Sequence, residues 1–119
     1  IIHSIIDALL GACSQKDIGY HFSDKNKKFK NIRSELMLAK ILNIIEMKGY
    51  IINNIDINII AENPKVSKIR LKILKNLSKI CNTNIKNINL KGKTTEKLGL
   101  IGKEKAIACE VILSVLKYD

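Results

Sequence analysis

The sequence predicts an α+β fold, a two-layer α/β sandwich with helices on one face of a mixed sheet. Three observations carry that prediction. Segments 1–13, 34–48 and 65–80 bear apolar residues at helical spacing. Between and after them lie runs of strand type, 50–62, 88–93 and 106–117, rich in Ile, Leu and Val. The last run alternates between an apolar face and a small, still rather apolar one. A sheet covered by helices on one side shows polar residues on the other unless a partner covers it.

Composition sets the bounds. A chain of 119 residues with 46% hydrophobic content makes one domain, 1–119, with a modest core. Three Tyr, two Phe and no Trp leave aliphatic packing to build it. The heavy use of Ile, Lys and Asn reads as A/T-rich coding bias. A net charge of +10 raises the question of a nucleic-acid partner. The lysines are scattered, however, and only Lys25, Lys27, Lys28 and Lys30 cluster. Most of the excess is therefore solvated lysine, with a smaller part suited to an anionic substrate. A basic RNA-binding module is the alternative that rests on charge alone. No apolar run reaches the ~18 residues of a membrane span, so neither nucleic acid nor membrane is an expected partner. Cys13, Cys81 and Cys109 are widely spaced in apolar runs and form no CxxC pair. Free buried thiols are the reading.

The elements follow in order. Positions 1, 2, 5, 6, 9, 10 and 13 are apolar, which predicts a helix. His3 and Asp7 are four apart and share a face. The imidazole is either a core-edge residue bonded to its neighbour or a metal ligand whose second nitrogen a carboxylate orients. The chain starts inside this pattern, on Ile1 and without Met, and reads as a fragment with a missing N-terminal segment. Residues 15–31 are polar and predict a long exposed loop, a kind usually functional or mobile, with His21 on its surface. Residues 34–48 predict a helix, Ser34 as N-cap and Gly49 as stop. This element is scaffold.

In 50–62, Ile51, Ile55, Ile57 and Ile59 alternate with Asn and Asp over part of a strand. It ends in Ala61-Glu62-Asn63-Pro64-Lys65, a strand-to-helix junction with Pro at an early helical position. The helix over 65–80 has a basic outer face of Lys68, Arg70, Lys72, Lys75 and Lys79. A polar turn at 82–87 leads into a strand at 88–93. There the chain reaches Lys91-Gly92-Lys93-Thr94-Thr95-Glu96-Lys97-Leu98-Gly99. Two hydroxyls and a carboxylate on consecutive residues suit phosphate oxygens and a hard divalent cation, as do the N–H groups freed by the turn. A helix start capped by Thr94 is the other reading. Gly99 and Gly102 flank a short turn. In the final strand Ile107, Cys109, Val111, Leu113 and Val115 face one way, and Ala106, Ala108, Glu110, Ile112 and Ser114 the other.

Four of these segments, in this order, resemble the motifs of the 2-C-methyl-D-erythritol 2,4-cyclodiphosphate synthases, ring-closing enzymes of non-mevalonate isoprenoid biosynthesis. They are His3-Ser4-Ile5-Ile6-Asp7-Ala8-Leu9-Leu10-Gly11-Ala12; Asp17-Ile18-Gly19 with His21-Phe22-Ser23-Asp24; Ala61 to Lys65; and Asn89-Leu90-Lys91 with Thr94 to Gly99 and Gly102. The resemblance implies that His3 is one of three zinc ligands, with Asp7 behind it. The other two ligands, an Asp-x-His motif on an upstream strand, are absent from this chain.

It further implies that Asp17 and Gly19 hold a ribose, with Ile18, Phe22 and Ser23 in the same loop, and that Asp24 lies by the erythritol hydroxyls. Ser23 replaces the usual Pro and Asn26 the usual second Asp, which predicts a more mobile loop. The main chain of Ala61, Asn63, Pro64 and Lys65 would read the cytosine edge. Thr94 and Glu96 are the implied catalytic residues. Glu96 would hold Mg²⁺ or Mn²⁺, and Lys93, Thr94, Thr95, Leu100 and Lys103 complete the substrate residues.

The family is a homotrimer with active sites between subunits and sheets packed around the trimer axis. Its axial channel carries an Arg and a Glu where this chain has Lys103 and Glu110. The implied activity is attack of the 2-phosphate of 4-diphosphocytidyl-2-C-methyl-D-erythritol 2-phosphate on its β-phosphate, releasing CMP. The missing ligands and altered channel residues leave a second reading, a catalytically impaired homologue kept for assembly or isoprenoid binding. The coding bias points to a plastid-type, apicoplast-like organelle, or to the cytoplasm of a bacterium.

Overall fold

The computed structural model describes residues 1–23, 25, 31–63 and 65–118. Asp24, Asn26, Lys27, Lys28, Lys30 and Pro64, all named above, lie outside the described residues. The helices are α1 (Ile2–Ala12), α2 (Ile18–His21), α3 (Ser34–Met47), α4 (Val66–Cys81) and α5 (Gly99–Gly102). The strands are β1 (Tyr50–Ile60), β2 (Ile88–Lys93) and β3 (Ala108–Lys117). They form a three-stranded sheet in the order β2-β1-β3. The chain divides into two compact units, Ile1–Asn54 with Leu113–Asp119, and Ile55–Ile112.

In the first unit α1 and α3 pack together. Ile5, Ile6, Leu9 and Leu10 form the buried stripe of α1, and Met37, Leu38, Ile41 and Ile45 that of α3. Spacings of four keep each set on one side of its helix, and each fully buried aliphatic side chain contributes about 1.5–3 kcal/mol. Gly49, at φ +87°, ends α3 as expected. Ser34 does not cap it: Arg33 is the N-cap, and Ser34 is already helical. The Ser34 hydroxyl lies instead 3.1 Å from His3 Nε2. The polar stretch after α1 is not all loop either. Asp17 accepts a hydrogen bond from Tyr20 N and so starts the single turn of α2. Tyr118 N donates to Gly49 O and Asn53 Nδ2 to Ser114 Oγ. Partner numbers fall on one strand as they rise on the other, so β3 runs antiparallel to β1.

The second unit contains a β1–α4–β2 crossover, the connection that parallel strands require. β1 and β2 pair in parallel with Ile55 opposite Ile88 and Ile57 opposite Leu90. All four are buried, so the apolar face fixes the register. α4 lies against β2 and buries Leu74, Leu77 and Cys81. Its lysines and Arg70 are exposed, as the pattern predicts. Asn82, at φ +49°, closes it in the left-handed conformation.

β3 begins at Ala108, two residues later than expected. Glu110, Ile112 and Ser114 are exposed along it, while Cys109, Val111, Leu113 and Val115 are half-buried. Ile107 precedes the strand and is exposed, departing from its predicted face. Burial raises the Cys13 thiol and pushes Cys81 up to about 11, consistent with unreactive core thiols.

Candidate functional site

The second unit holds the chemistry that the C-terminal motifs promise. β2 ends at Lys93, and the chain turns without entering a helix. Thr94 caps none: α5 begins at Gly99, with Leu98 as its N-cap. The turn instead puts Glu96 and Lys97 at positive φ, +53° and +67°. L residues disfavour that region, so the neighbours must impose it. Thr94 Oγ1 accepts from Glu96 N at 3.2 Å, and the Thr95 hydroxyl donates to Leu98 O at 2.7 Å. Gly102 passes so close to Lys97 that a Cβ there would collide with its carbonyl carbon and lie 2.6 Å from its oxygen.

A residue outside the predicted set completes the corner. Glu62 Oε1 accepts from Lys97 N at 2.9 Å and from Thr95 N at 3.2 Å, with the Thr95 hydroxyl at 3.4 Å. The N–H of Lys97 and then the groups of Thr95, together with the charge of Lys65, hold the Glu62 carboxyl below the usual glutamate range against a smaller opposing effect of burial. The expectation that freed turn amides would meet phosphate is therefore corrected. The amides of Thr95, Glu96 and Lys97 already serve side-chain oxygens. Thr95 has also committed its hydroxyl proton, whereas Thr94 uses its oxygen only as an acceptor and keeps a proton to donate.

Beside the corner lies a cleft of about 270 Å³ lined by Ala61, Lys65, Val66, Ser67, Arg70, Leu90, Gly92, Lys93 and Thr94. It brings together four predicted residues: Ala61 and Lys65 from the β1–α4 junction, Lys93 and Thr94 from the end of β2. Arg70, read from sequence as part of a solvated face, is fixed here by donating to Leu90 O and Asn89 Oδ1, both at 3.0 Å. Glu96 is exposed and its carboxylate has no partner among the described residues. Leu100 is exposed on α5, and Lys103, also exposed, is its C-cap. The Asn63 side chain bonds the Glu104 carboxylate. Glu110 stands exposed on β3.

In the first unit, His3 is exposed on α1 and pairs with Ser34 and not with Asp7. No group of three or more His, Cys, Asp or Glu that could hold a metal occurs among the described residues. Asp17 spends one carboxylate oxygen on Tyr20 N at 2.9 Å. Gly19 and Ile18 lie in α2, and Phe22 is buried, anchoring the loop. Ser23 Oγ takes the amide of Lys25. His21 is half-buried and not a surface residue: it lies edge-on to Tyr20, and its buried Nε2 has no partner among the described residues.

Glu62, Arg70 and the tight contact at Gly102 were not legible as functional features. Glu62 meets residues 33 and 35 positions away, a pairing no local pattern announces. The only signal was its place between Ala61 and Lys65 in a motif.

Comparison with known proteins gives a consistent result. The bifunctional enzyme IspD/IspF of Pelagibacter ubique is 61% identical over the whole of this chain, which spans 32% of that protein. The apicoplast 2-C-methyl-D-erythritol 2,4-cyclodiphosphate synthase of Plasmodium falciparum is 50% identical over 92% of this chain and 45% of its own length. The synthase of that name from Buchnera aphidicola is 48% identical over 98% of this chain and 73% of its own. This chain thus spans just under a third of the first of these proteins and just under half of the second. A solved IspF of Plasmodium falciparum in complex with CDP superposes with a TM-score of 0.87 at 42% identity, covering 99% of this chain and 70% of the other. The model described as the YgbB family matches residues 1–116, and with the resemblance of the four motifs borne out, the chain belongs to that family.

Proposed function

We propose that this chain carries out cyclodiphosphate formation, as a CMP-releasing phosphorus–oxygen lyase of isoprenoid biosynthesis. An oxygen of the substrate's 2-phosphate forms a bond to the β-phosphorus. The bond from that phosphorus to the CMP oxygen breaks, and its electrons leave with CMP. The observation that carries this reading is the cleft of about 270 Å³ that gathers Ala61, Lys65, Lys93 and Thr94 beside the Thr-Thr-Glu corner. A related structure with CDP bound supports a cytidine nucleotide as the ligand class.

The attacking phosphate is already anionic, so no general base is needed. Catalysis then consists of alignment and charge neutralisation. Main-chain groups at Ala61, Asn63 and Lys65 would read the cytosine by donor–acceptor pattern. Thr94 would donate its hydroxyl proton to a phosphate oxygen. Lys65 and Lys93 would offset charge on the departing CMP. Glu96 fits a divalent cation of the Mg²⁺ or Mn²⁺ type, because such ions take one or two carboxylates and share substrate phosphates. When bound, that ion would screen charge between the α- and β-phosphates.

Zinc is a different matter. One imidazole, already paired with Ser34, does not make a zinc centre, and the described residues supply no second and third ligand. His3 and Asp7 would contribute at most one ligand and its support, and no step above depends on them. Lys103, where the family carries an Arg, favours a second reading, a catalytically impaired homologue retained for assembly or isoprenoid binding.

A homotrimer with sites between copies agrees with the exposed face of β3, where Ile112 is 74% and Leu116 51% exposed beside Glu110 and Ser114. Lys103 and Glu110 would face the axial channel, and Lys keeps the charge there without the planar fork of Arg. Relatives occur both in an apicoplast and in bacteria, so an organelle and a bacterial cytoplasm are the two placements. The deciding experiment is CMP release from 4-diphosphocytidyl-2-C-methyl-D-erythritol 2-phosphate with Mg²⁺ or Mn²⁺, alongside sizing and zinc analysis. CMP release by a trimer is expected. A trimer without turnover would move the reading to the impaired homologue.

A further inference from the structure

The corner after β2 holds a shape that its own residues resist. Two successive non-glycine residues, Glu96 and Lys97, lie at positive φ, and such pairs persist only where the surroundings over-determine them. Most of the contacts that do so are local: Thr94 Oγ1 to Glu96 N, the Thr95 hydroxyl to Leu98 O, and Gly102 against Lys97. Among the described residues, Glu62 is the one that reaches in from a distant part of the chain, the β1–α4 junction. One of its oxygens takes two backbone amides of the corner.

We propose that Glu62 is a positioning residue whose carboxylate pins the Thr94–Lys97 corner, so that Thr94 lines the cleft and the Glu96 carboxylate stays free for ligand and cation. The inference rests on the reading of this corner as the phosphate and cation site. It assigns Glu62 no contact with the reacting atoms. Ionised acceptors bind amides about twice as strongly as neutral ones. The amides of Lys97 and Thr95 and the charge of Lys65 favour that ionised form. Gln at this position keeps an acceptor oxygen at the same reach, Ala keeps none, and Asp withdraws it by roughly 1.5 Å.

The test compares the wild-type full-length protein with E62A, E62Q and E62D in amide hydrogen exchange at Thr95 and Lys97, CMP-release kinetics and CMP affinity. In E62A the two amides should exchange at least about tenfold faster and kcat should fall roughly 30- to 100-fold, the scale of an ångström-sized misplacement. CMP affinity should stay within about threefold, and E62Q should restore kcat to within about fivefold of wild type. Unchanged protection in E62A overturns the proposal, as does unchanged kcat, or CMP affinity falling in step with kcat. Should E62A not fold, unchanged protection in E62D overturns it equally. If the wild type releases no CMP, the functional reading falls, and amide exchange still decides whether the clasp exists.

Discussion

The Asp17 loop and the Thr-Thr-Glu corner are both short polar turns, yet they are held in different ways. In the loop, Asp17 takes the amide of Tyr20, Lys16 lies over the Tyr20 ring at 4.4 Å, and Ser23 takes the amide of Lys25. Each of these contacts spans four residues or fewer. Buried Phe22 is the anchor. In the corner, the decisive acceptor is Glu62, at the far end of a crossover helix. A locally stitched turn can change shape at little cost to the rest of its unit. A turn clasped to a neighbouring strand moves only if the strand end and the helix start move with it. That is the construction expected where side chains must be placed to within a fraction of an ångström.

The sharpest way to probe the corner is Glu96→Gln. If this carboxylate holds the cation, metal-dependent CMP release should drop by on the order of a thousandfold, with thermal stability and oligomeric state unchanged. Turnover within a few-fold of wild type would remove Glu96 from the chemistry. Gly102→Ala tests the packing of the same corner: its Cβ must displace the Lys97 backbone. We expect a loss of about 1–3 kcal/mol, read as a lowered denaturation midpoint, and a fall in kcat. An unaffected midpoint would show that the corner can relax as easily as the Asp17 loop.

The loop should respond more mildly and more divisibly. Asp17→Ala removes both the α2 cap, about 1 kcal/mol, and the contact implied for the ribose. Asp17→Asn keeps the cap. A KM raised roughly tenfold in both variants, with stability lost only in the first, would separate the two roles. Equal KM values for wild type and Asn would deny the ribose contact. The smallest effect is on pH dependence. The Glu62 carboxyl is held below its ordinary value of 4.5 in the folded chain. Its contribution to stability is therefore present above that value and lost as pH falls through it and through the lower folded value. Acid unfolding of E62Q should lack that part of the slope, and a superimposable acid limb would argue against the clasp.

How much of this was legible in the sequence differs by kind of feature. The α1 stripe at 5, 6, 9 and 10, the α3 stripe at 37, 38, 41 and 45, and the alternation along β3 repeat with a fixed period, so each could be read locally. Ser34 misleads because a serine opening an apolar-periodic run looks like a cap wherever its hydroxyl goes. Here the helix begins one residue sooner, and the hydroxyl meets His3. The stretch after Ser14 looks like loop in the sequence because the single turn Ile18–His21 carries no detectable period. Of the site, Ala61, Lys65, Lys93 and Thr94 were identified by motif. That they line one cleft follows from the parallel register of β1 and β2, which brings two distant strand ends side by side.

The sequence by itself determined the class of fold, the succession of helices and strands, and the family, because periodicity and motif order are properties of neighbours along a chain. Only the tertiary structure decided which amides Glu62 captures, that Arg70 is tied to the edge of β2, and that His3 spends a ring nitrogen on Ser34. Those choices depend on which polar groups meet after the apolar faces have packed. A hydrogen bond between residues dozens of positions apart leaves no trace in local order.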